Sequence, residues 1–297
     1  MSITMDGVEL RCSFYPGGVR QKAKEEFEKI VGKKVVPVML LHGWGKDQNR
    51  SRYDYLASYL QRLGHAVIVP DMRGHGASIH IKGVGVQIDR DKNSKLLLAA
   101  MVLSDLRAVK TFLLTKNNNA ELNLDQLCVV SADHMAMVAM QWAAKEWSKG
   151  DLIGVRRGRD VKAMVFLSPS KSYKGYSVVQ TLRHPIFASR VPPHIPIMMI
   201  VGENERRALQ DAKIMFNQIE RMRPKLDLSK YKDPTERKRK RAELGSHFLV
   251  ELDTQLQGTM LAHPGLKMNV EQRIAGFIHY KCVMKADQYA WTDRRPK

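Results

Sequence analysis

The sequence predicts an α/β fold, a mostly parallel sheet flanked by helices. Three observations predict it. Short runs that are apolar at nearly every position recur along the chain, as in Val35–Leu41 and Val161–Leu167. Strands buried on both faces read this way, and they belong to parallel sheets covered by helices. Longer stretches with apolar residues at spacings of 3, 4 and 7 separate these runs, and glycine-rich turns follow several of them.

In order, Ser2–Tyr15 alternates in polarity and reads as an antiparallel edge pair. Val35–Leu41 reads as a buried strand. Arg52–Leu63 reads as a helix, with Tyr55, Leu56, Tyr59, Leu60 and Leu63 on one face and Gly64 at its end. Ala66–Val69 is a strand stopped by Pro70, and Leu96–Leu114 a long helix. Leu127–Val130 is a strand that runs into a helix over His134–Trp147. Val161–Leu167 is a strand stopped by Ser168-Pro169, and Ile195–Val201 a strand stopped by Gly202. Arg206–Met222 reads as a helix, His247–Leu252 as a strand and Val270–Tyr280 as a closing helix. Gly74–Asn93 and Ser168–His194 are long irregular stretches.

The chain has 297 residues, 44% apolar and 27% charged. That excludes a disordered, collagen-like or disulfide-dense chain. One domain is expected over residues 1–285, with a basic helical insert at 225–244 and a basic tail at 286–297. Three widely spaced cysteines, Cys12, Cys128 and Cys282, imply no disulfide framework and a reducing compartment. Met1–Cys12 lacks the apolar core of a signal peptide. The longest apolar run, Leu96–Leu103, is far short of the ~18 residues that span a bilayer. A cytoplasmic location is the expectation. The formal net charge of +19 favours a polyanionic partner and says nothing about fold.

In a parallel sheet, ligand sites lie beyond the carboxyl ends of the strands. The residues there are His42-Gly43-Trp44-Gly45, then Asp71-Met72-Arg73-Gly74-His75-Gly76-Ala77-Ser78, then Ser131-Ala132-Asp133-His134-Met135, then Gly202-Glu203-Asn204-Glu205. The segments LLHGWG and VIVPDMRGHGAS, followed by a strand–turn–helix, resemble the α/β-hydrolase superfamily. The resemblance extends from about Met5 to Tyr280. It implies a sheet of about eight strands and a triad of nucleophile, acid and histidine, with two backbone N–H groups forming an oxyanion hole.

Against that pattern Ser131 and Met135 stand at the two glycine positions of the nucleophile elbow, and Asp133 stands at the nucleophile. Met135 departs from the small residue the elbow requires. Asp133 has two readings. In one it is an ester-forming nucleophile, as in the epoxide hydrolases and haloalkane dehalogenases, although the Pro169–His194 interval is too short for their cap domain. In the other it caps the helix that begins at His134. Glu205 matches the acid, or else complements the dipole of the helix from Arg206. His247, in Gly245-Ser246-His247, matches the family's Gly-His, but it precedes the strand Phe248–Leu252 rather than following it. Asp253 or Thr254 would then hold the histidine's place, with His263 as a fallback. The N–H groups of Trp44 and His134 are the expected oxyanion donors. His42 and His75 fall at positions where the family braces loops. No HExxH, P-loop or dinucleotide fingerprint is present, so neither metal nor cofactor is expected.

Lys225–Arg241 carries eight Lys/Arg and three acids, including the run Arg237-Lys238-Arg239-Lys240-Arg241. Asp233-Pro234-Thr235-Glu236 is a helix start, so this charge surrounds a short helix. It is a solvated surface or a nonspecific polyanion contact. The resemblance as a whole implies a hydrolase fold with a degenerate triad. Ester hydrolysis would be weak or absent, and the binding of a small ester or carboxylate ligand, or of a protein, retained. One alternative is an active hydrolase, esterase- or epoxide-hydrolase-like, with Asp133 as nucleophile. The other is a polyanion-binding protein acting through the basic insert.

Overall fold

The computed structural model describes residues 2–3, 6–23, 26–151 and 156–295. Its main elements are β1 (Cys12–Tyr15), β2 (Pro37–Leu41), α1 (Asp54–Arg62), β3 (Ala66–Pro70), α2 (Ser94–Ala100), α3 (Leu106–Asn118) and β4 (Leu127–Ala132). They continue with α4 (Met135–Trp147), β5 (Val161–Leu167), β6 (Ile197–Gly202), α5 (Arg206–Met222), α6 (Pro234–Leu244), β7 (His247–Leu252) and α7 (Val270–Lys281). The strands form one sheet in the order β7-β6-β5-β4-β2-β3-β1. All neighbours are parallel except β1, which runs antiparallel to β3.

The apolar runs are continuous because both sheet faces are covered. Met39, Leu41, Val129, Met164 and Phe166 point into a core shared with α3 and α4. Their neighbours Val38, Leu40, Val130, Ala163 and Val165 point into a second core shared with α1 and α7. Period-two alternation thus assigns successive residues to two cores. Burial of this kind contributes roughly 25 cal/mol per Å2 of apolar surface.

The main sheet holds seven strands among the described residues, where eight were expected. Ser2–Ile3 pairs with Glu9–Leu10 in a separate two-stranded sheet. Val8 bridges to Ile81, which draws this segment onto the hairpin of His80–Ile81 and Val84–Gln87 and away from the main sheet. Thr4 and Met5 of the expected edge pair, and Pro296 and Lys297 of the tail, lie outside the described residues.

The expected helix over Leu96–Leu114 is interrupted by a π-helical turn at Met101–Asp105. Asp105 is buried there and holds the Arg73 guanidinium, whose Nε lies 3.0 Å from Oδ1. Arg73 also reaches Asp6 at 2.6 Å. Asp71 accepts from the backbone N–H of Arg50 (2.7 Å) and of Ala77 (2.9 Å). Gly76 sits at φ +51°, and a Cβ there would stand 2.4 Å from the Asp71 carboxyl carbon. The Asp-x-Arg-Gly-His-Gly segment is therefore a brace that ties the loops after β2 and β3 together. His42 completes it, with Nε2 accepting from the Met72 N–H at 3.1 Å and Nδ1 donating to the Gly43 carbonyl at 2.8 Å.

The C-terminal tail is docked. Trp291 Nε1 donates to the Asn117 carbonyl, and Thr292 Oγ1 to Asp125. Arg294 is buried between Asp125 and Asp160, at 2.8 Å from the first and 2.5 Å from the second. Lys110 joins Asp160 and Glu146 to the same cluster. All three cysteines are free. Among the described residues no helix is long and apolar enough to cross a membrane.

Removing one member of a buried ionic cluster strands the others in low dielectric. Arg294→Met is expected to lower unfolding free energy by about 3–5 kcal/mol in urea titrations. A change below 1 kcal/mol would show that the tail is dispensable.

Candidate functional site

The site is built at the carboxyl end of β4, where the chain turns sharply into α4. Asp133 occupies this turn at φ +49°. That left-handed conformation strains most L-residues and is most accessible to glycine, asparagine and aspartate. The turn is held from outside, because the Asp133 N–H donates to the Leu167 carbonyl (3.0 Å) and its own carbonyl accepts from Ser170 N–H (3.3 Å). Strand β5 and the loop after it thus fix the bend.

The Asp133 side chain does not cap α4. The helix begins at Met135, and among the described residues no side-chain cap hydrogen bond forms at its N-cap, His134. The carboxylate turns instead between two glycines from distant loops. A Cβ on Gly43 would lie 2.1 Å from Oδ2, and a Cβ on Gly258 would lie 2.2 Å from Oδ1. Any larger residue at either place would displace the carboxylate. Burial, with no hydrogen bond or cation to offset it among the described residues, raises the Asp133 pKa to about 7.

The last strand sends Thr259 to this place. Thr259 Oγ1 accepts from the Gly43 N–H at 2.9 Å and donates to Gln48 Oε1 at 2.7 Å. The family pattern calls for a histidine from the loop after this strand, and Gly258-Thr259 stands there instead. Neither Asp253 nor Thr254 is the neighbour of Asp133. The Asp253 carboxylate accepts from Asn204 Nδ2, and Thr254 lies in the turn that covers Gly202.

His247 is not brought to Asp133. It pairs with Ile197 at the first residue of β7, while Ala132 lies in register with Leu167, Ile200 and Val250. At ~3.3 Å per residue and ~4.8 Å per strand, His247 is roughly 13 Å down and 14 Å across from Asp133. Its ring packs on Phe216 and its Nδ1 faces Ser246 Oγ. Glu205 is the N-cap of α5, accepting from the N–H of Arg207 (3.2 Å) and Ala208 (2.6 Å). Its carboxylate is engaged in that cap. His263 is exposed, with Nδ1 accepting from Gly265 N–H.

Of the expected oxyanion donors, Trp44 follows Gly43, which abuts the Asp133 carboxylate, and His134 follows Asp133 in the bend. Neither the Trp44 nor the His134 N–H donates to another described residue. Around them lies an aromatic cluster that sequence reasoning did not assemble. Trp44 meets His75 at 5.0 Å and Tyr173 at 5.7 Å, and His134 stacks on Tyr173 at 4.0 Å. Tyr173 comes from the hairpin inside the irregular Ser168–His194 stretch. Trp44 Nε1 and His134 Nδ1 are buried polar atoms without a protein partner among the described residues. Burial lowers the pKa of His134 to about 4 and that of His75 to about 3. Each imidazole near the carboxyl is therefore neutral at pH 7. The described residues hold no cluster of three His, Cys, Asp or Glu fit for a metal ion.

A family model described as the alpha/beta hydrolase fold matches residues 36–184, half of the chain. Comparison with curated proteins gives no match. Among solved structures, the chain is similar to a dienelactone hydrolase from Anabaena variabilis. The identity is 16% and the TM-score 0.51, over 95% of this chain and 96% of that one. It is also similar to the Pyrococcus furiosus esterase Pf2001, at 15% identity and TM-score 0.54, over 95% and 88% of the two chains. At these identities the likeness concerns fold. The family match, the sheet order and the elbow at Asp133 agree: the chain belongs to the alpha/beta hydrolase fold family.

Proposed function

We propose that this hydrolase-fold protein binds a small carbonyl- or carboxylate-bearing ligand at the Asp133 elbow and does not turn over esters through a triad. The observation that carries this reading is Thr259, with Gly258 before it, at the place where a histidine would have to stand. A carboxylate attacks an electrophile without a base, but release of the resulting ester needs an activated water. Thr259 has no basicity near pH 7, and the half-buried His134 and the buried His75, with their lowered pKa values, are poor proton acceptors. Binding needs neither. The N–H groups of Trp44 and His134 suit a carbonyl or carboxylate oxygen, and the unpartnered Trp44 Nε1 offers a third donor. Below pH 7 a protonated Asp133 adds a fourth.

A second reading rests on α6. None of its residues is buried, and in its run Arg237–Arg241 Lys240 pairs with Glu243. This helix suits nonspecific contact with a polyanion. Duplex DNA is expected to bind weakly and to lose at least tenfold in affinity between 50 and 200 mM KCl, read by fluorescence anisotropy. Salt-insensitive binding would count against it.

Purified protein is expected to show no turnover of short-chain p-nitrophenyl esters above the Asp133→Ala background. Robust hydrolysis that disappears in Asp133→Ala would overturn the first reading and favour an active hydrolase.

The Asp133 carboxyl also carries a stability signature. Its folded pKa of about 7 exceeds its ordinary value of 3.8. Between these values the folded state holds more protons than the unfolded one, so stability falls as pH rises from about 4 to 7. Asp133→Asn keeps the shape and the tolerance for positive φ. It is expected to stabilise the protein by a few kcal/mol at pH 8 and to leave it unchanged near pH 4, followed by thermal melts. Equal effects at both pH values would show that Asp133 is not desolvated.

A further inference from the structure

A cavity of about 790 Å3 opens at the amino-terminal end of the strands, away from Asp133. It lies where the start of β7 meets the end of α5 and the end of α6. Its charged lining is Arg221, Arg223, Lys225 and Arg241 against the carboxylate of Glu220. Arg223 is the unusual member. It is 4% exposed, and its hydrogen bonds all go to backbone carbonyls, those of Phe187 (2.7 Å), Ser246 (2.6 Å), Ile195 (2.8 Å) and Ile186 (3.4 Å). No carboxylate pairs with it among the described residues. Burial lowers its pKa to about 10, so it stays charged at neutral pH. Carbonyl dipoles solvate a guanidinium without neutralising it, and an unpaired buried charge is costly.

The rim repeats the imbalance. Arg221, Lys225 and Arg241 form no ion pair with a described residue, whereas many other cations of the chain do. The rest of the lining includes Phe248, Leu226, Leu228 and Leu244. His247 also faces this space, and burial, followed by Arg223, lowers its pKa. A cavity of this size suits a small molecule. Four cations against one carboxylate favour a ligand of more than one negative charge, and guanidinium groups match phosphate oxygens well.

We propose that this cavity is a binding site for a small organic phosphate, its phosphate groups held over Arg223 by Arg221, Lys225 and Arg241, its apolar or planar body against Phe248 and the leucines. The site is separate from the Asp133 elbow and does not depend on the reading given for it.

Arg223→Ala would remove four internal hydrogen bonds, so the test reverses the rim instead. Isothermal titration of the full chain with ADP in 150 mM KCl is expected to show saturable one-to-one binding with a sub-millimolar Kd. Inorganic pyrophosphate is expected to bind more weakly, and adenosine not detectably. Lys225→Glu with Arg241→Glu is expected to weaken ADP binding at least tenfold. Neutralising Arg237, Lys238 and Arg239, which do not line the cavity, is expected to change it less than twofold. The proposal is overturned if ADP does not saturate, if the rim reversal leaves its affinity unchanged, or if the three outer residues matter as much as the rim. Pyrophosphate binding as tightly as ADP would overturn the assignment of an organic body.

Discussion

The bend at Asp133 is the constraint on which the site depends. A side chain at φ +49° is thrown out of the strand direction and into the space above the sheet. The loops after β2 and β7 close on that space with glycines, Gly43 and Gly258, because a Cβ at either place would overlap the carboxylate. With both loops seated, no described group donates to the Asp133 oxygens, and desolvation drives the carboxyl toward its neutral form. The raised pKa is thus a consequence of backbone packing. Thr259 links the loops a second time, through the Gly43 N–H and Gln48.

The two ends of the sheet are electrostatically unlike. At the carboxyl end, a carboxyl raised to about 7 lies among imidazoles lowered to about 3 and 4. At the amino end, a buried guanidinium and three rim cations face a cavity with one carboxylate. Part of the +19 charge of the chain is therefore concentrated locally. Neutral, desolvated groups at one end favour recognition by directional hydrogen bonds, whereas unpaired cations at the other favour recognition by charge.

Much of the fold was legible from local pattern. Val161–Leu167, Arg206–Met222 and His247–Leu252 fall where apolar runs and helical spacing place them, because burial on two faces or one writes a period into adjacent residues. The π-helical turn at Met101–Asp105 was not legible, since it answers to Arg73, about thirty residues earlier in the chain. The Asp133 elbow was legible as a position, but the direction of its side chain was not. That depends on Gly43 and Gly258, which lie 90 and 125 residues away in sequence. His247 drew attention through Gly245-Ser246-His247. The physical cue, a histidine at the wrong end of an apolar run, pointed elsewhere, and the glycine with a polar residue after the strand, Gly258-Thr259, was the signal to follow. Glu205 was readable as a cap, being the residue before a strong helical pattern.

Under the proposed reading, the lack of a relay histidine also bears on why a carboxylate is tolerated at the elbow. In a relay, a histidine must gain a proton during the reaction, which requires a counter-charge and some solvation for the imidazolium. The histidines beside Asp133 are held neutral, chiefly by burial. A carboxyl group that gains a proton on burial loses its charge and fits such a space better than an imidazole that gains one. Aspartate also accepts the left-handed backbone that the elbow imposes, as few other side chains do. The packing that raises the Asp133 pKa therefore suits the residue found there, and under the proposed reading the polar donors around it retain the means to hold a ligand.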